Sequence, residues 1–194
     1  VAGQTAQGTV IEVFTLTNAR GASARILTHG ATLADLQMPD RSGKLAPMVI
    51  PATGNPGPQG GYSNAGSVMG RVTNRIAFGR FTLDGTPHQI ATNAGKHTLH
   101  GGRRGFNRVD WRGEIVSSPA GAAVRLSYVS PDGEEGFPGQ LTTSVTYTLT
   151  ADNVLRLDYE ASTDRATPVN LTNHAYFNLR SGGDVLDHQL TLFA

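Results

Sequence analysis

Cysteine is absent from the 194 residues, lysine occurs only twice and tryptophan once. Without cysteine there is no disulfide frame, no thiol nucleophile and no thiolate metal site. Charged residues make up 16% of the chain and the formal net charge is +1, which excludes the basic footprint of a nucleic-acid partner. No apolar run reaches the roughly 20 residues that a helix needs to cross a bilayer, so no membrane partner is expected. Phosphate-binding Walker loops and the Gly-x-Ser-x-Gly elbow are missing too, which sets nucleotide hydrolysis and that class of serine hydrolase aside. Helical periodicity is the last absence, since no amphipathic stretch of period 3.6 stands out.

What remains is rich in Gly (24) and Pro (10), with a hydrophobic fraction of 38% that suits a folded chain rather than a disordered one. Period-two patterns dominate. Leu141, Val145, Tyr147 and Leu149 alternate with Thr142, Ser144, Thr146, Thr148 and Thr150, and Leu155, Leu157 and Tyr159 alternate with Arg156, Asp158 and Glu160. With Ala151, Asp152 and Asn153 as the turn, residues 141–160 read as a hairpin. Val124, Leu126 and Tyr128 repeat the pattern, and Asp84-Gly85 marks a tight turn in a shorter hairpin over 81–90. Segments 9–17, 23–29 and 31–38 read as three early strands. Loops are expected at Pro51 to Gly61 and over 93–107. Many short strands between turn signals predict an all-β fold, a large antiparallel β-sandwich, with residues 1–194 as a single domain without an internal boundary. The chain opens on Val1 and a small, polar stretch to Gly8, which reads as a mature N-terminus after signal removal or as a shortened chain. Cytoplasmic and periplasmic or secreted locations both stay open.

Polar residues crowd into a few segments. Gly70 to Ile76 holds Arg71, Asn74 and Arg75, whose donors can bind hydroxyls or can be a solvated strand face. His97-Thr98-Leu99-His100-Gly101-Gly102 places an imidazole beside a small backbone that leaves room for a ligand. Its His-x-x-His spacing invites a metal, but no helix, cysteine or carboxylate cluster completes a site, so no metal is expected. From Asn170 to Leu179, read as one strand, the even positions Asn170, Thr172, His174, Tyr176 and Asn178 form a polar stripe facing a cleft. Leu171, Phe177 and Leu179 lie on the other face. Asp132 to Gly139 reads as a turn, with one carboxylate pinning a nearby loop. Imidazoles, Arg and amides around a cleft suit a polyhydroxyl ligand and proton transfer near neutral pH.

At these residues the chain resembles the aldose 1-epimerase (galactose mutarotase) family. The match rests on residues 70–76, on 99–102 with Gly105-Phe106, on Trp111, on 130–139 and on Asn170-Leu-Thr-Asn-His-Ala-Tyr-Phe-Asn-Leu179, in the family's order. The resemblance implies a twisted antiparallel β-sandwich and interconversion of the anomers of a free hexose, a small monosaccharide, with no cofactor. It implies His174 as general acid at the ring oxygen, His100 as the second active-site histidine, and Arg75 with Asn74 as hydroxyl-binding residues. It also implies that the chain is incomplete. The family's carboxylate base, a Glu near the C-terminus, and a sugar-binding Asp have no counterpart here, and Glu12, Glu114, Glu134, Glu135 and Glu160 lie in other contexts. The alternation of His188, Leu190 and Leu192 with Gln189, Thr191 and Phe193 reads as a further strand broken off. A non-catalytic carbohydrate-binding sandwich is the alternative, as is a hexose-6-phosphate epimerase with Arg103 and Arg104 on the phosphate. Oligomeric state is left open.

Overall fold

The computed structural model describes residues 2–5, 7–50, 64–180 and 182–193. The expected loop at Pro51 to Gly61 lies outside them.

Apolar alternation builds two antiparallel four-stranded sheets. One runs Val13–Thr17, Ser23–Leu27, Thr32–Pro39, Leu45–Pro47, and the other Arg112–Val116, Gly121–Ser130, Leu141–Thr150, Leu155–Thr163. In both sheets, neighbours in sequence are neighbours in space. The hairpin predicted over 141–160 is present, with Val145 opposite Tyr159 and Tyr147 opposite Leu157. The shorter hairpin pairs Arg80–Leu83 with Thr86–Gln89. Its turn residues Asp84 (φ 49°) and Gly85 (φ 77°) take the left-handed pair of conformations that matches strand twist.

Burial follows the alternation. Leu16, Ala24, Ile26, Leu33 and Leu36 of the first sheet share one core with Val124, Leu126, Leu141, Val145, Tyr147 and Leu149 of the second. Phe106 and Trp111 join that core with rings edge to face at 5.8 Å. Burying apolar surface at about 25 cal/mol per Å² holds the layers together, as in any two-layer sandwich. The Phe14 ring lies against Gly113 so closely that a Cβ there would sit 2.3 Å from it. Tyr147, fully buried, donates its hydroxyl proton to the Ala31 carbonyl at 2.7 Å. Burial pushes its phenol pKa well above the ordinary value. The all-β expectation holds, and helix among the described residues is confined to 3-10 turns at Ala77–Gly79, Phe106–Arg108 and Glu134–Gly136.

Two strand expectations need correction. Residues 170–179 are not one strand: only Thr172–Asn173 pair, with Val68–Met69, flanked by single bridges from Asn170 to Val72 and from Phe177 to Val49. The ladder stops because Asn173 turns its own side chain on the backbone, Oδ1 accepting the Ala175 N–H at 3.0 Å. The alternation breaks as a result, with Asn178 buried at 9% exposure while Tyr176, Phe177 and Leu179 stand 47%, 57% and 65% exposed. Residues 188–193 form no strand either, and Leu190, Leu192 and Phe193 are exposed.

Candidate active site

Two short ladders bring the polar segments together. Arg75–Ile76 pairs with Thr98–Leu99, so the residues just before and after this ladder, Asn74 and His100, lie side by side. The adjoining Val68–Met69 and Thr172–Asn173 ladder delivers His174. The His100 and His174 rings meet edge to face, 5.1 Å between centroids and 87° between planes. Tyr176 also packs on His174, with ring centroids 5.1 Å apart.

His174 is held through its backbone and its neighbour. Its N–H donates to the Ser67 carbonyl and its carbonyl accepts the Gly66 N–H, both at 2.9 Å. Asn173 ties the segment to the core, donating to the Gly66 carbonyl at 2.6 Å and to the Tyr147 hydroxyl at 3.1 Å.

His100 is fixed more unusually. It has φ 53°, and Asn74 opposite has φ 64°, left-handed backbone at two residues that carry a Cβ. The His100 N–H donates to the Asn74 carbonyl at 2.9 Å, and the Asn74 N–H donates in return to His100 Nδ1 at 3.1 Å. A backbone N–H can only donate, so Nδ1 carries no proton. His100 is therefore the neutral Nε2–H tautomer, a hydrogen-bond donor through its outer nitrogen. Its basicity is depressed in the same sense, by burial first and then by His174 and Arg75. The tight turn after it depends on Gly101 (φ 87°), where a Cβ would stand 1.7 Å from the Gly70 carbonyl oxygen.

Arg75 and Arg71 have opposite fates. Arg75 is exposed beside the histidines, its Nη1 reaching Asn74 Oδ1 at 3.4 Å. Arg71 is 2% exposed and spends its guanidinium inside the protein. Nε donates to Ser130 Oγ, Nη2 to the carbonyls of Ser130 and Pro131, and Nη1 to the Pro138 carbonyl and Thr167 Oγ1, at 2.9 to 3.3 Å. Desolvation lowers its pKa. It anchors the 130–139 turn and is not available to a ligand.

That turn carries the pinning carboxylate. Glu135 accepts the backbone N–H groups of Arg103 and Arg104 at 2.8 and 2.9 Å, just beyond His100. Glu134 accepts from the Tyr128 hydroxyl at 2.6 Å and from Ser130 Oγ. Glu160 pairs with Arg125 at 2.7 Å on the face of its sheet turned away from the core, in a groove of about 340 Å³ also lined by Glu114. Those four carboxylates are thus engaged or placed elsewhere than beside the two histidines. His97 accepts the Phe78 N–H on Nδ1 at 3.0 Å, whereas His100 Nδ1 accepts the Asn74 N–H. Sequence reasoning did not single out Tyr176 or the supporting Asn173. Tyr176 lay on the polar stripe, whereas Asn173 lay on the other face of the supposed strand and nothing there marked it as a support.

The aldose 1-epimerase family model matches residues 12–194. A galactose mutarotase of Rattus norvegicus is 44% identical over 171 residues, covering 87% of this chain and 48% of that protein. An aldose 1-epimerase of Haemophilus influenzae is 37% identical over 190 residues, 96% of this chain and 54% of its own length. Among solved structures, an aldose epimerase homologue from C. elegans aligns with 88% of this chain and 51% of its own (TM-score 0.76, 33% identity). A galactose 1-epimerase from Lactobacillus acidophilus aligns with 92% and 52% (TM-score 0.80, 28% identity). The chain spans about half the length of the curated relatives it matches.

Proposed function

The chain belongs to the aldose 1-epimerase family, and from that premise we propose that the whole protein interconverts the α and β anomers of a free hexose. The observation that carries the reading is the His100–His174 pair, with His100 held neutral as an Nε2–H donor. In the proposed reaction a base removes the proton from the anomeric hydroxyl. Its electrons form the C1 carbonyl, the bond from C1 to the ring oxygen breaks, and His174 protonates the departing oxygen. Rotation about C1–C2 and closure on the other face return both protons. His100 donates from Nε2 to the oxygen region of the opening ring, and Arg75 with the Asn74 amide binds hydroxyls. A positioned acid or base supplies about 10²–10⁴-fold, enough for a reaction that water already supports slowly. None of Glu134, Glu135, Glu114 and Glu160 is proposed as the base, because their oxygens are committed or face other surfaces.

A phosphorylated hexose is a poorer substrate in this reading. Arg103 and Arg104 face Glu135 through their backbone, and Arg103 Nε is engaged with the Thr92 carbonyl at 3.2 Å. The test is anomer exchange followed by proton NMR on α-D-galactose or α-D-glucose with the whole protein. Accelerated equilibration of the free sugar is expected, and no turnover of its methyl glycoside, which has no anomeric hydroxyl proton to lose. Saturable sugar binding without acceleration would contradict the proposal and identify a carbohydrate-binding module.

A further inference from the structure

On the functional reading above, we infer that Asn93 is a positioning residue for His100, a role its place outside the crowded polar motifs does not reveal. The Asn93 amide brackets His100 from both sides. Its Oδ1 accepts the Leu99 N–H at 2.7 Å, and its Nδ2 donates to the Leu99 carbonyl at 2.9 Å and to the Gly102 carbonyl at 2.6 Å. One side chain therefore closes the turn at the residue before His100 and at the residue two beyond it.

The turn needs such a clasp. His100 sits at φ 53°, which a residue with a Cβ adopts only when its surroundings impose it. Across Leu99 and Gly102 the backbone itself provides one bond, Gly102 N–H to the Leu99 carbonyl at 3.2 Å. The Nδ1 contact with the Asn74 N–H exists only while His100 keeps this conformation. A relaxed turn carries the ring out of reach, frees Nδ1 to take the proton, and moves the imidazole from its place beside His174. Asn93 is itself exposed and away from the sandwich core, so its removal acts on the turn rather than on the sheets.

The test uses the whole protein with 15N-labelled histidine, the His100 signals being assigned by their loss in His100→Gln. Wild-type His100 is expected to show one protonated Nε2 and one unprotonated Nδ1. In Asn93→Ala the two nitrogens are expected to average toward mixed tautomers. The turnover number for anomer exchange is expected to fall by about 10²-fold, the scale of an ångström-sized misplacement, with KM little changed. Asn93→Asp keeps the size and the Leu99 N–H contact but loses both donations. It is expected to reproduce the tautomer mixing, and it serves where the alanine variant does not fold. A single Nε2–H tautomer retained in a folded Asn93 variant, or a wild-type turnover number, would overturn the inference. A wild-type protein that exchanges no anomers would refute the functional reading alone, because the imidazole spectra would still decide whether Asn93 holds His100.

Discussion

At His100 a reciprocal pair of hydrogen bonds with Asn74 sets both the ring's orientation and its protonation state. The imidazole pKa lies below 6.5, by burial and then by the positive influence of His174 and Arg75. Between the folded value and the unfolded one the native state binds fewer protons. The resulting stabilisation is complete above about pH 6.5 and is lost as pH falls through the lowered folded value. Arg75→Gln removes one of the depressing charges. Its expected effect is a rise of the His100 titration midpoint, read by NMR of the ring protons, with no rise contradicting the assignment. Polar crowding marked the segments that hold His100, His174, Arg75 and Asn74, and the family resemblance picked these four out of them. What was not legible was that Asn74 acts on His100 through its main chain. Asn and His enter the left-handed region more often than most residues, but that Asn74 and His100 both do so, opposite one another, is set by the pairing of their segments.

Among the elements, the loops carry more of the site than the strands do. The turn over 130–139 is fastened by Arg71 and in turn, through Glu135, fastens the backbone just after Gly102. Arg71→Met keeps apolar volume over Phe137 but takes the guanidinium donors from the Ser130 and Pro138 carbonyls, and leaves the Pro131 carbonyl with the Glu134 N–H alone. A buried acceptor left without a donor costs roughly 1–3 kcal/mol. Urea unfolding is therefore expected to show a loss on the order of 3 kcal/mol, and an unchanged midpoint would mean that water replaces the guanidinium. Arg71 and Arg75 were indistinguishable in sequence because the partners that bury one of them lie some sixty residues away. The hairpin at Asp84-Gly85 was readable because its geometry is local. Residues 170–179 were misread as one strand because alternation ignores a side chain that competes for the ladder, as Asn173 does.

In the molecule as a whole, the sandwich presents the two histidines from separate pairs of short strands, the His174 segment tied back to the core through Asn173 and Tyr147. The two sheets were foreseeable from period two alone, since burying alternate apolar residues on two layers is the stable outcome for such a pattern. The meeting of His100 and His174, 74 residues apart in sequence, was not foreseeable from pattern and came only from the family resemblance. The central claim is that this pair opens the sugar ring, with His174 as the acid. The measurement that tests it most directly is polarimetry of freshly dissolved α-D-galactose with the whole protein and its His174→Ala variant. The account expects wild-type acceleration and a loss of about 10²–10⁴-fold in the variant, with the unfolding curve unchanged. A folded His174→Ala protein that relaxes the optical rotation at the wild-type rate would contradict it.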